Sequence, residues 1–253
     1  MLDFGYYNMD CMEGMREFPD NYFDLAIVDP PYGGGGIALQ AIHDSENGSH
    51  VITTNARFGG KGSRFEKYKQ TVVIPNNSPI KHGGGWNKYS DVTWDVAPPD
   101  EYFEELFRIS KNQIIWGGNY FSLPPARCFL IWRKTNIPEK FSMAMVEYAW
   151  TSFNENAKWF EASSIGAPGD RFHPTQKPIN LYKWILSNYA KDGDKIIDTH
   201  VGSASSLIAC EDMGFDYVGF EIDEEYYRKG VQRMKRHSAQ ISIMQLMNDW
   251  RLP

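Results

Sequence analysis

The sequence predicts an α/β fold built on parallel strands, and three observations carry that expectation. The apolar run Leu25-Ala26-Ile27-Val28 stops abruptly at Asp29-Pro30-Pro31-Tyr32. A second run, Lys195-Ile196-Ile197-Asp198, leads through a glycine-containing turn and a helix-length segment to a third, Tyr217-Val218-Gly219-Phe220, which ends at Glu221. Between the first two lies a helical stripe, in which Pro178, Leu181, Tyr182, Ile185, Leu186 and Tyr189 recur at i, i+3, i+4 and i+7. Short apolar runs bounded by turn signals read as strands covered on both faces, and strand, turn, helix, strand is the βαβ unit.

In chain order, Phe4 to Asn8 reads as a short strand and Met12 to Phe18 as one or two helical turns. Pro19-Asp20-Asn21 turns the chain into the strand ending at Val28. Two prolines cannot continue a ladder, so Asp29 is left at a carboxyl strand end, the edge at which open α/β sheets bind ligands. Regular structure returns at Pro98-Pro99. The helix that follows has Tyr102, Phe103, Leu106 and Phe107 on one face, acids at its start, and Arg108 and Lys111 at its end, as the helix dipole favours. Gln113 to Trp116, Cys128 to Trp132 and Met143 to Thr151 are further strands; Trp159 to Asp170 reads as irregular. Pro178 suits the first position of the next helix. The helix after Ser205 is stopped by Gly214, and a last helix runs from about Asp223 to His237.

The 253 residues suffice for one large domain with a real core. Cys11, Cys128 and Cys210 are odd in number and lack paired spacing, which argues for a reducing compartment. No apolar run is long enough to span a membrane, the N-terminus lacks a basic signal-peptide region, and the six histidines show no metal-ligand spacing. The expectation is therefore no membrane and no metal. Net charge is −6, but it is unevenly placed. From 53 to 90, Arg57, Lys61, Arg64, Lys67, Lys69, Lys81 and Lys88 face one acid, Glu66, so that stretch is +6 and the remainder −12. The wider segment 37–97 is rich in glycine, with Phe58, Phe65, Tyr68, Trp86 and Tyr89 interleaved. Within it only Gln70 to Ile74 resembles a strand. Basic groups hold phosphates and aromatic faces stack on bases, so this insertion is a candidate nucleic-acid surface. A solvated insertion without a ligand is the plainer alternative.

Asp198 and Glu221 lie 23 residues apart, a spacing that suits a carboxylate accepting hydrogen bonds from ribose hydroxyls. Such a unit also fits nicotinamide cofactors. The acid at Asp198 would repel a pyrophosphate and tolerate a cofactor with a cationic end.

Three stretches together, Asp29-Pro30-Pro31-Tyr32, His173-Pro174-Thr175-Gln176-Lys177-Pro178 and Asp198-Thr199-His200-Val201-Gly202-Ser203, resemble the adenosylmethionine-dependent DNA amino-methyltransferases. The order, catalytic motif first and cofactor motif last, resembles the beta class, and Trp116-Gly117-Gly118-Asn119-Tyr120-Phe121 looks like its small phage and orphan members. The resemblance covers nearly the whole chain. It implies a single domain over 1–253 with a circularly permuted Rossmann-like methyltransferase fold. The sheet would be mixed but mostly parallel, with helices on both faces and one antiparallel strand near an edge. It also implies S-adenosyl-L-methionine as cofactor and double-stranded DNA as partner, in the cytoplasm of a bacterial or phage-infected cell; a homodimer is compatible with it.

By the same resemblance, Asp29 and the Pro30 carbonyl accept the two N–H groups of the target amine, and Tyr32 offers a face to a flipped base. Asp10, Cys11, His173, Thr175, Lys177, Asp198, Gly202, Ser203 and Glu221 would bind the cofactor. Among them Glu221 takes the ribose, Asp10 and Cys11 the adenine, and Thr175 and Lys177 the methionine carboxylate. The family's usual second glycine is Ala204 here, small enough for binding to survive. Asp29 in place of serine favours adenine N6 over cytosine N4. The short region between Tyr148 and His173 leaves target recognition to the basic insertion. A catalytically silent DNA-binding module leaves the intact Asp29 tetrapeptide without a purpose, and a nicotinamide oxidoreductase leaves both it and the His173 stretch unexplained.

Overall fold

The computed structural model describes residues 1–32, 50–53, 71–74, 96–139, 144–165 and 171–249. The chain divides into two compact units. The larger comprises Met1–Pro30, Asp100–Asn119 and Leu123–Pro253; the smaller comprises Pro31–Pro99 with Tyr120–Ser122.

The larger unit is an eight-stranded sheet. Its strands are β1 (Gly5–Asn8), β2 (Phe23–Val28), β5 (Ser110–Trp116), β6 (Phe129–Lys134), β7 (Val146–Thr151), β8 (Lys158–Ala162), β9 (Lys195–Asp198) and β10 (Asp216–Glu221), in the spatial order β1-β10-β9-β2-β5-β7-β6-β8. All pairs are parallel except the two made by β7, so one strand runs against the rest. β1 lies beside β10 with Asn8 opposite Glu221, so the strand that opens the chain follows, in space, the strand that nearly closes it. That adjacency is the expected permutation. The helices are α1 (Cys11–Arg16), α2 (Asp100–Ile109), α3 (Ile179–Tyr189), α4 (Ser205–Met213) and α5 (Glu224–Asp249).

The central strands form because their side chains are buried on both faces. Leu25, Ile27, Ile114, Trp116, Leu130, Trp132 and Ile196 join Leu181, Tyr182, Ile185 and Leu186 of α3 in one core. The helical stripe read from the sequence is thus the face that α3 buries. Burial of a large aliphatic or aromatic side chain contributes roughly 1.5–3 kcal/mol, so this cluster dominates the unit's stability.

Three expectations need correction. Residues 158–162, which overlap the start of the stretch read as irregular, form β8, which pairs in parallel with β6 at the sheet edge. Its alternation is that of a half-covered strand, with Trp159 exposed, and the aromatic-charged pattern hid it. The last helix continues past His237 to Asp249, because no proline or glycine stops it there. In the smaller unit, Thr71–Ile74 is indeed a strand (β4), and it pairs antiparallel with an unforeseen β3 (His50–Thr53). The seven basic residues from Arg57 to Lys88 lie outside the described residues. No helix among those described is long and apolar enough to cross a membrane.

Candidate active site

The site residues converge because their strands are neighbours. β2 pairs with β9 through Leu25 opposite Ile196 and Ala26 opposite Ile197. β9 pairs with β10 through Gly219 opposite Asp198. Asp29, Asp198 and Glu221 therefore leave three successive strands at one sheet edge.

The turn after β9 is built around Gly202, whose φ is +54°, a left-handed conformation that glycine adopts without strain. A Cβ at this position would lie 3.2 Å from Cε1 of His173. The backbone N–H of Gly202 donates to Glu221 at 2.8 Å, and that of Asp223 donates to the other carboxylate oxygen at 2.9 Å. Burial raises the Glu221 carboxyl above its ordinary range in spite of these bonds. Ala204 is also left-handed, with φ +61°. This conformation costs a non-glycine residue roughly 1–2 kcal/mol, which glycine at this position would avoid.

Asp198 is fully buried and accepts from Ser206 Oγ and from the N–H of His200. Burial pushes its carboxyl up to about 7, and the neighbouring Asp29 and Glu221 charges add to the shift. His173 is buried as well. Desolvation, with Lys177 nearby, lowers its pKa to about 3, so its ring is neutral near pH 7. Nδ1 of that ring lies 3.1 Å from Thr175 Oγ1, and the ring meets Tyr226 edge-on at 4.4 Å. Asp10 caps α1, accepting from the N–H groups of Met12 (2.7 Å) and Glu13 (3.3 Å). Cys11 beside it is a neutral thiol, which burial and Asp10 push up to about 12. Ser203 Oγ lies 3.1 Å from Ser205 Oγ.

Lys177, expected at the methionine carboxylate, faces two acids of the chain itself. Its ammonium pairs with Asp29 and, at 3.1 Å, with Glu147 on β7. Two carboxylates of the chain thus already match its charge. Pro30 follows Asp29 at the strand end, and with no N–H of its own it presents only a carbonyl there. Tyr32 belongs to the smaller unit, where its ring stacks on Tyr120 at 4.7 Å and 17°.

Sequence reasoning missed several members of the site. Arg233 of α5 is buried and donates to Ser203 O and Ser205 Oγ, both at 2.7 Å, and so ties α5 to the Gly202 turn. The signal was present, since Arg233 falls within the i, i+3, i+4 stripe that also holds Tyr226, Gly230, Met234 and His237. Tyr102 of α2, 2.6 Å from Thr199 Oγ1, shows in the sequence only as a member of one helical face. Glu147 carried no local signal at all.

A family model described as DNA methylase, of the N6/N4 type, matches residues 23–232. The chain is 29% identical over 258 residues to the putative methylase YubD of Escherichia coli (strain K12), covering 96% of each chain. Among solved structures it is similar to M1.HpyAVI in its SAM complex, with TM-score 0.51 and 16% identity over 90% of this chain and 98% of that one. It is also similar to the cytosine-N4-specific PvuII DNA methyltransferase, with TM-score 0.52 and 13% identity over 94% of this chain and 91% of that one. At such identities the structural likeness is one of fold. The family match spans Asp29, the His173 stretch and the whole βαβ unit, and the chain belongs to the N6/N4 DNA methylase family.

Proposed function

We propose that the chain transfers a methyl group from S-adenosyl-L-methionine to the exocyclic N6 of adenine in double-stranded DNA, with the base flipped out of the helix. The observation that carries this reading is the position of Asp29. A carboxylate and the following proline carbonyl stand at the end of β2, beside the Asp198 and Glu221 strand ends.

The residues fit the cofactor. Glu221 is a buried acceptor suited to a ribose diol, and the Gly202 turn lies where any Cβ would crowd His173. Asp198 is a buried carboxyl poised to ionise beside a cation. Ser203, Thr175, Asp10 and Cys11 complete the candidate lining; Asp10 and Cys11, next to β1, are assigned to the adenine. When bound, the cofactor supplies a methyl group made electrophilic by a sulfonium.

The chain's own task is to prepare the amine. An exocyclic amine is a weak nucleophile because its lone pair is delocalised into the ring. Asp29 and the Pro30 carbonyl accept its two N–H groups, draw it toward tetrahedral geometry and aim it; orientation of this kind carries much of a rate enhancement. Asp29 is also where the amine proton is held as it departs. Tyr32 contributes a stacking face for the flipped base.

Cytosine N4 presents the same two N–H groups, and it is the target of the PvuII enzyme to which the fold is similar. Aspartate at position 29 supports adenine. Incubation of the protein with plasmid and labelled adenosylmethionine, followed by identification of the modified base, tests the reading. N6-methyladenine is the expected product; N4-methylcytosine would move the assignment to the second target, and no base modification would overturn it.

A further inference from the structure

A chain of alternating charges starts at Asp29. Asp29 follows β2, Lys177 precedes α3, Glu147 sits on β7 and Lys134 ends β6. Lys177 pairs with Asp29 and, at 3.1 Å, with Glu147, whose other oxygen takes Lys134 at 2.6 Å. The Lys177 side chain is 2% exposed, and its ammonium also lies 5.2 Å from the centre of the Trp116 ring. Two carboxylates and two ammoniums give a chain of zero net charge. Without that balance, burying these groups would cost several kcal/mol each.

We propose that Lys177, backed by Glu147 and Lys134, is a positioning residue that keeps Asp29 ionised and fixes its orientation as the acceptor for the target amine. The proposal rests on the reading that Asp29 meets that amine. It also reassigns Lys177 away from the cofactor's carboxylate. A third carboxylate beside Lys177 would leave excess negative charge in a desolvated place, whereas the existing pair of acids matches Lys134 and Lys177 one for one.

The electrostatics agree with the geometry. Burial disfavours the Lys177 ammonium, but Asp29 and Glu147 outweigh it and hold its pKa above the ordinary lysine value. Burial opposes the Glu147 carboxylate too, and the two lysines outweigh that, so its pKa is lowered. Lys177 is therefore a fixed charge near neutral pH and not a proton acceptor. Among the described residues, other ionisable groups that feel this chain are Asp198 on β9, Tyr102 on α2, Tyr182 on α3 and His173. Both tyrosines are held neutral by burial, as is His173 near pH 7, so among these described groups it is Asp198 that changes charge there.

The test follows the Asp29 side-chain carbon by NMR across a pH titration, in the wild type, Lys177→Met and Glu147→Gln. Removing the cation should move the Asp29 midpoint up by about one pH unit or more, and the acid limb of kcat/KM should move with it. Glu147→Gln should move both the opposite way, because Lys177 then serves Asp29 alone; a merely structural role would move neither. Calorimetry should show adenosylmethionine affinity unchanged in Lys177→Met. Unmoved midpoints, or a lost cofactor affinity with an unmoved midpoint, would overturn the proposal and return Lys177 to the cofactor. If Lys177→Met fails to fold, the near-isosteric Glu147→Gln carries the test. The NMR titration needs no DNA, so it decides the charge relationship even if wild-type enzyme modifies no base, a result that would count against the proposed function alone.

Discussion

The N–H of Gly202 donates to Glu221 at 2.8 Å, joining the turn after β9 to the end of β10. One carboxylate thus shapes the loop and is also the group proposed to take the cofactor ribose. Both of its oxygens already accept one backbone N–H, from Gly202 and Asp223, and each retains capacity for a second hydrogen bond.

Glu221→Ala should therefore weaken adenosylmethionine binding by more than the loss of a ribose contact. A charge-assisted hydrogen bond is worth roughly 1.5–3 kcal/mol, and the turn loses its anchor as well. Calorimetry reads the affinity and a melt reads the anchor. Wild-type affinity would sink the ribose assignment; a normal melting temperature would show that the anchor is dispensable.

Gly202→Ala should destabilise the protein by about 1–2 kcal/mol through the left-handed backbone alone. The contact with His173 adds to this, since that ring lies 3.2 Å from the new Cβ. His173→Ala in the same chain should relieve the contact and leave the backbone term. Denaturant titration of the two single variants and the double variant separates the contributions; strict additivity would mean that the ring and the turn do not meet.

The pH dependence of stability has a definite sign at Asp198. Its folded value, about 7, lies above that of an unfolded aspartate, so the native state binds an extra proton over the interval between them. Its stabilising contribution is complete below about pH 4 and is lost as pH rises to about 7. His173 and His200, lowered to about 3 and 4, act in the other direction, and stability falls as pH drops below the unfolded histidine value. Asp198→Asn should abolish only the first of these slopes. The stability difference between variant and wild type, measured by denaturant titration, should shift in the variant's favour from pH 4 to 7, by more than about 1 kcal/mol, and level off above that. A flat difference would place Asp198 in an environment no more costly than water.

For the basic stretch, changing Lys61, Arg64 and Lys67 together to alanine should flatten the salt dependence of DNA binding by up to about three units of log–log slope if all three reach phosphate. Adenosylmethionine affinity should not change. An unaltered slope would make this stretch a surface insertion and direct the search for target recognition to residues 149–172.

The sequence by itself determined at which element ends the candidate site residues stand. A proline pair after a buried run must end a strand, so Asp29 had to stand at a strand end. Gly202 between an apolar strand and a helix had to form a tight turn, and the i, i+4 stripe from Leu181 had to face a core. These are local consequences of backbone sterics and side-chain periodicity, and the described structure carries all three. What tertiary structure alone decided is partnership. Lys177 and Asp29 are 148 positions apart, and nothing near Lys177 says whether its charge meets a ligand or a carboxylate. Glu147 looks like any acid in a half-exposed strand until β7 is seen to run antiparallel between β5 and β6, with Lys134 near one of its oxygens and Lys177 near the other. The edge strand β8 was hidden for a related reason. Covered on one side only, it carries no continuous apolar run, and its identity comes from hydrogen bonds exchanged with a neighbour some 28 residues away. Charge pairing and edge pairing depend on which distant segments pack together, and local periodicity holds no record of that.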